Sequence, residues 1–489
     1  MSNPANIKLN VLNDLSFGFV DAESEEDLNI KFLKTTDFEE FLKPEISLVL
    51  GSKGAGKSAL FKLLTKFDFI ARKLANGALN EVTIVEATGF NDVSEIDTES
   101  ILELQKNPDF DYAKLWRLYF AVKLAKKLAA QGVKTKGAAA ILLKDLKAEK
   151  DFRLLPLLTS VWEKIIGRAP KKVTFPIFGE LQIGSKTVDV SAAEVLTELN
   201  SELASRNQKA WLVFDRIDEL FAGRPEERKR AISSLLVECK NCQDKYSHIR
   251  FKVLLRTDIW AQLEFINKTH YSDKTIKIAW SENDLAAMLV KRVLANANVR
   301  GYFADLLGSF VRKDVEGMSE AEVDEIFYSI FEGQIYKGPK EAKTLSWMIE
   351  RSTDGTGCVY PRELIMYAQI SKQKQSSSGP GGGALIEGAS IRDAYYEVSE
   401  ARCNNYLAEF PWYSQHFKKF SGATKTEFSR DELLAMFDGL GLEAEEAIKD
   451  LATNVGVLKP VRGSVHTAET FQIPKLYVYG LGITIRGRP

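Results

Sequence analysis

Cysteine is scarce, with four residues in a chain of 489, and this excludes a disulfide framework. Cys239 and Cys242 form a single C-x-x-C at the end of a helical stretch. Zinc would need two further ligands, of which His248 is one candidate, so cysteines at a helix end are the favoured reading. Histidine is equally sparse, and His248, His270, His416 and His466 are too scattered to suggest a metal cluster. Neither sign of charge dominates. Lys plus Arg number 66 against 67 for Asp plus Glu, a net charge of −1, so no global attraction to nucleic acid or anionic membrane is encoded. Long apolar runs are missing too: none approaches the ~20 residues of a membrane span. The N-terminal Met-Ser-Asn-Pro-Ala-Asn-Ile-Lys has no apolar signal core. A cytoplasmic chain with room for two or three cores is the expectation.

What is present begins at residue 46. Ile46-Ser-Leu-Val-Leu is an apolar run that breaks into Gly51-Ser52-Lys53-Gly54-Ala55-Gly56-Lys57-Ser58. This is the G-x-x-x-x-G-K-[ST] spacing without a mismatch, and Ala59-Leu-Phe-Lys-Leu-Leu opens a helix behind it. Glycines let the backbone curl so that successive N–H groups converge on phosphate oxygens, and the helix N-terminus adds positive potential. Residues Gly51 to Ala59 are therefore expected to bind the phosphates of ATP. Lys57 would reach the β- and γ-phosphates, and the Ser58 hydroxyl would ligate Mg²⁺.

A second apolar strand should end in the metal's other carboxylate. Trp211-Leu-Val-Phe-Asp215-Arg216-Ile-Asp218-Glu219 supplies it, with Asp215 at the carboxyl end, where open α/β sheets bind ligands. Many ATPases place a catalytic Glu directly after this Asp; here Arg216 holds that position. Asp218 or Glu219 is left to orient the attacking water, or hydrolysis is slow and switch-like. Glu81–Glu86, Ile249–Leu255 and Lys274–Ala279 read as further strands. Arg256 and Thr257 occupy the tip where ATPases with an inserted strand carry a γ-phosphate sensor, although Arg256 serves equally as a solvated strand end. Ser281, with Asp284 three residues on, reads as the cap of a helix.

In order, Gly-Ser-Lys-Gly-Ala-Gly-Lys-Ser, Asp-Arg-Ile-Asp-Glu, Leu-Leu-Arg-Thr-Asp-Ile and Tyr360-Pro-Arg362-Glu-Leu-Ile resemble the STAND and KAP NTPases and the origin-recognition-type AAA+ initiators. Phe17-Gly-Phe-Val-Asp-Ala-Glu23 and the C-terminal Gly480-Leu-Gly-Ile-Thr-Ile-Arg-Gly-Arg-Pro look like a bacterial P-loop ATPase family. The resemblance implies an Mg-ATP core, a helical lid and a C-terminal winged helix. It implies Arg362 as a second nucleotide sensor, unless that side chain pairs with a lid carboxylate. It also implies a role in signalling or anti-phage defence.

The expected fold class is α/β, a P-loop NTPase of the additional-strand type with a parallel sheet. Residues 1–45 are a lead-in whose Phe17–Glu23 stretch is placed to wrap the adenine. The core spans 46–280 with an insertion at about 90–208. The insertion holds helical patterns at Tyr112–Gln131, Ala138–Lys150 and Leu154–Gly167 and an alternating hairpin at Lys172–Val190. A helical lid covers 281–372, Gln373–Gly383 lies in a flexible linker of 373–389, and 390–489 form the winged-helix-like part. There, Ser429–Phe437 and Glu443–Asn454 suggest helices, while Thr470-Phe-Gln-Ile and Tyr477-Val-Tyr suggest wing strands. The segment Glu443–Leu451 carries four carboxylates against one lysine, which repels duplex phosphate. Lys459, Arg462, Lys475, Arg486 and Arg488 offer a modest basic edge. The combined expectation is an Mg-dependent switch ATPase that self-associates and controls a protein effector. A DNA-remodelling ATPase of initiator type and a nucleotide-gated scaffold without turnover stand as alternatives.

Overall fold

The computed structural model describes residues 4–88, 111–148, 191–219, 221 and 224–484. These fall into two compact units: one drawn from residues 36–51 and 60–277, the other from 4–35, 52–59 and 278–484.

The first unit is built on five parallel strands: β1 (Leu48–Leu50), β2 (Val82–Ala87), β3 (Lys209–Phe214), β4 (Ile249–Leu255) and β5 (Thr275–Lys277). Their order is β2-β3-β4-β1-β5, so β4 is inserted between β1 and β3. Parallel strands are covered on both faces and read as apolar runs rather than alternations, and β1, β3 and β4 show that burial. On one face, helix Tyr112–Ala130 packs on helices Ala192–Ser205 and Pro225–Lys245. Its Phe120 ring lies 4.6 Å from that of Phe251 and 5.9 Å from that of Phe214. Arg117 makes two bonds, 2.6 and 3.0 Å, to the buried Glu238. Cys239 and Cys242 are buried on the same Pro225–Lys245 helix, and burial raises both thiol pKa values. Near helix Thr36–Phe41, Lys252 of β4 is fully buried. Its Nζ donates to the carbonyls of Phe41 (2.8 Å) and Lys43 (2.6 Å) and lies 4.2 Å from the Trp211 ring centroid.

Two of the helical patterns of the insertion are realised as Tyr112–Ala130 and Gly137–Ala148. The pattern at Leu154–Gly167 and the hairpin at Lys172–Val190 lie outside the described residues.

The second unit is mainly helical. Helix Glu282–Leu294 begins at Ser281, whose side chain and that of Asp284 cap one another's backbone N–H groups in a capping box. It shares a core with helices Glu320–Ile330, Thr344–Ser352, Pro361–Ser378 and Gly388–Glu409. Phe17 belongs to this core, stacked 5.7 Å from Phe331, which leaves Phe19 as the exposed aromatic of the Phe17–Glu23 stretch.

The expected linker differs in the structure: Gln373–Ser378 continues the helix that begins at Pro361. Its Ser/Gln composition suggests a tether, yet Ser371 and Gln375 are buried. The Gln375 amide oxygen accepts from Glu387 N–H (2.9 Å) and the Ser390 hydroxyl (2.8 Å), so the Gly379–Glu387 turn is bound to the helix end.

Beyond Cys403 a further apolar cluster forms around Tyr406, Phe417, Phe437, Leu451 and Phe471. It holds helices Arg430–Phe437 and Ala444–Thr453 and three antiparallel strands: β6 (Glu427–Ser429), β7 (Lys459–Pro460) and β8 (Thr470–Gln472), in the order β6-β8-β7. Tyr477-Val-Tyr is not a strand: Lys475–Val478 is a helical turn after Pro474. Leu476, Tyr477 and Val478 are all buried, and Tyr477 packs against Tyr406 and Phe417. A run of apolar residues covered on every side has no period from which strand and helix can be told apart.

Candidate functional site

The sequence-predicted residues fall in both units. In the sheet unit, Gly51 follows β1 and its N–H donates to the Leu255 carbonyl at the end of β4. Asp215 stands at the carboxyl end of β3, 3% exposed, with its N–H bonded to the Ala87 carbonyl of β2. A buried carboxylate at this position is a hard oxygen donor of the kind Mg²⁺ takes.

The chain turns immediately after it. Arg216 adopts φ +60°, a left-handed conformation that costs a non-glycine residue about 1–3 kcal/mol. Its guanidinium makes two bonds, 2.8 and 2.7 Å, to Glu219, and both side chains are largely exposed. Asp218 is the less exposed of the two acids and lies 3.9 Å from Arg256 Nε. Arg256 in turn makes two bonds, 3.0 and 2.7 Å, to Asp258. Sequence reasoning missed Arg228, in the first turns of helix Pro225–Lys245. Burial and the nearby Arg256 lower its pKa, while Asp258 and Asp218 oppose the fall. Nothing in the local pattern marks it, because its neighbours come from other elements. The Thr257 hydroxyl, at the tip of β4, is buried and has no hydrogen-bond partner among the described residues. A buried hydroxyl without a partner costs free energy that an incoming acceptor such as a phosphate oxygen would relieve.

In the helical unit, the loop Ser52–Ala59 is held by side chains from far along the chain. Gly54 and Gly56 take φ +89° and +104°, the left-handed values for which glycine is suited. A Cβ on Gly54 would also stand 2.9 Å from Arg362 Cβ, so Arg362 packs on the loop's apex. Lys57 is buried and donates to the Ser52 carbonyl at 3.0 Å. The Tyr360 hydroxyl donates to Ser52 Oγ at 2.8 Å, and Trp280 Nε1 donates to the Ala55 carbonyl at 2.9 Å. Lys53 pairs with Glu409 at 2.9 Å, and Arg362 lies 3.8 Å from the same carboxylate oxygen. Arg362 thus lies beside a carboxylate, but one that falls outside the expected lid of 281–372.

Tyr360, Trp280 and Glu409 were not recognised as site residues from sequence. Tyr360 sits inside a recognised motif; Glu409 has no local signal at all. Burial raises the Tyr360 pKa, so its hydroxyl stays protonated and a donor.

Together these features define the class: the fold is that of an α/β P-loop NTPase with an additional strand. No protein-family model matches the chain, and no curated protein matches it either. Among solved structures it is similar to the Aeropyrum pernix ORC2 protein in its ADPNP-ADP complexes, with TM-score 0.37, 12% identity, and coverage of 91% of this chain and 92% of that one. The ADP form of the same protein gives TM-score 0.32 and 12% identity over 88% and 83%. The Aeropyrum pernix ORC1 protein in complex with DNA gives TM-score 0.32 and 12% identity over 91% and 90%. Likeness of this degree carries no functional argument; the fold assignment stands on the strand order and the loop.

Proposed function

We propose that this chain is an Mg-dependent ATPase that works as a nucleotide-driven switch. The observation that carries the reading is the mismatch-free phosphate loop after β1 of a parallel sheet whose β3 ends in the buried Asp215. Backbone N–H groups of residues 51–59 cradle the phosphates, and Lys57 exchanges its Ser52 carbonyl for the β- and γ-phosphate oxygens. Ser58 and Asp215 would hold the metal, and both are oxygen donors suited to Mg²⁺. When bound there, Mg²⁺ would supply charge neutralisation for the phosphates. Asp218 orients the attacking water and accepts its proton, and Glu219, engaged by Arg216, is the weaker candidate. Arg256 and Thr257 at the tip of β4, and Arg362 beside the loop, respond to the γ-phosphate.

The resemblance to initiators supports a second reading, an initiator-type ATPase that acts on DNA through the C-terminal helices and strands as a winged helix. Here the exposed Lys459, Arg462 and His466 in and around the β7–β8 connection would meet the phosphates. The acidic face of helix Ala444–Thr453, with Glu445, Glu446 and Asp450, opposes duplex and suits a protein partner or a second copy of the chain. No feature of the described residues selects a role in phage defence. Among the described residues no helix is long and apolar enough to cross a membrane.

The test is ATP turnover with and without Mg²⁺, and with and without duplex DNA, for wild type and Asp215→Asn. The reading expects Mg-dependent turnover that collapses in Asp215→Asn. Turnover stimulated by DNA in a salt-dependent way would favour the initiator reading. Absence of turnover with ATP binding intact would leave a nucleotide-gated scaffold.

A further inference from the structure

Glu409 ends the long helix Gly388–Glu409, and its side chain is 5% exposed. One carboxylate oxygen lies 2.9 Å from Lys53 of the phosphate loop and 3.8 Å from Arg362, which packs on Gly54 at the loop's apex. The other oxygen lies 3.5 Å from Arg402, which is itself 3.8 Å from Glu363. Five charges therefore meet here, three positive and two negative. Arg402 is buried and already shared between two acids, so Lys53 and Arg362 are the cations held most loosely. Lys53 belongs to the loop and Arg362 borders it.

We propose that Glu409 is a positioning residue of the nucleotide site: it holds Lys53 and Arg362 while the phosphate loop is empty, and yields them to the phosphates of a bound nucleoside triphosphate. The inference rests on the reading that the loop binds Mg-ATP. A triphosphate carries several negative charges against one on Glu409, so the competition favours the ligand. Release of Glu409 is felt at once by the C-terminal cluster, because Phe410 and Tyr413, the next buried residues, belong to it. Glu409 thus links the phosphate loop to the helix end that leads into that cluster.

The experiment compares ATP affinity by calorimetry for wild type, Glu409→Gln, Lys53→Met and the double variant. Melting temperatures are recorded for each, together with hydrogen exchange of residues 410–420 with and without Mg-ATP. Removing a competing unit charge at this range should tighten ATP binding about three- to tenfold in Glu409→Gln. The gain should shrink to under about twofold in the Lys53→Met background, since the two act through one another. Mg-ATP should alter exchange at 410–420 in wild type and not in Glu409→Gln. An unchanged ATP affinity in a well-folded Glu409→Gln, or the same gain with and without Lys53, overturns the proposal. If Glu409→Gln fails to fold because Arg402 loses a partner, Lys53→Met carries the test, and ATP-dependent exchange at 410–420 surviving there overturns it. Wild type that binds no ATP overturns the proposed function and this coupling together; wild type that binds while the variants behave alike overturns the coupling alone.

Discussion

Asp218→Asn is the substitution that separates the two acids after β3. Glu219 is 47% exposed and held bidentately by Arg216, an exposed pair of a kind worth about 0–1 kcal/mol. Its amide should therefore leave turnover within about threefold of wild type and stability nearly unchanged. Asp218 is only 19% exposed and lies 3.9 Å from Arg256. Its amide keeps the volume but can no longer accept a proton from water. Loss of a positioned base costs about 10²–10⁴ in rate, or about 3–5 kcal/mol on the barrier. ATP binding should persist, because Lys57 and Asp215 are untouched. Single-turnover hydrolysis with enzyme in excess isolates the chemical step from product release. A wild-type rate in Asp218→Asn, or a collapse in Glu219→Gln alone, would refute the assignment and move water orientation to Glu219 or to a residue outside this turn.

Two further outcomes follow from buried bases. His416 is fully buried between Tyr413 and Phe437, with neither ring nitrogen hydrogen-bonded among the described residues, and burial lowers its pKa. Below about pH 6.5 the unfolded chain takes up a proton that the folded one refuses, so stability drops as the pH is lowered, by up to about 1.4 kcal/mol per unit. His416→Leu should remove that acid sensitivity, as read by denaturant midpoints from pH 7 to 5; an unaltered slope would contradict it. Burial also pushes Lys252 down, to about 7. Between about pH 7 and 10 the unfolded chain then holds a proton that the fold has lost, and stability rises with pH at up to about 1.4 kcal/mol per unit. Lys252→Met should lower overall stability, by leaving the Phe41 and Lys43 carbonyls without their donor, and should flatten that rise.

The parts of the molecule legible in sequence are those whose signal is local. The loop at 51–58 and the strand ending in Asp215 carry their chemistry in consecutive residues, and β4 and the capping box at Ser281 do the same. The grip on the loop was not legible, because Trp280, Tyr360 and Glu409 lie more than 200 residues from it and no spacing rule connects them. Arg228 escaped for the same reason. Two misreadings came from composition. Gln373–Ser378 has the residues of a tether but is helical through its buried Gln375. Tyr477-Val-Tyr has strand-forming residues but turns as a helix against Tyr406.

The most direct test of the central claim is ATP binding by Lys57→Ala, measured by calorimetry in Mg²⁺ beside wild type, with folding checked by melting temperature. On the proposed reading Lys57 would supply a charge-assisted phosphate contact. Its ammonium bonds the Ser52 carbonyl within the loop. The account predicts that wild type binds ATP, and that Lys57→Ala melts within a few degrees of it and shows no measurable ATP binding. ATP binding of wild-type strength by the folded variant would contradict the assignment of residues 51–59 as the phosphate loop.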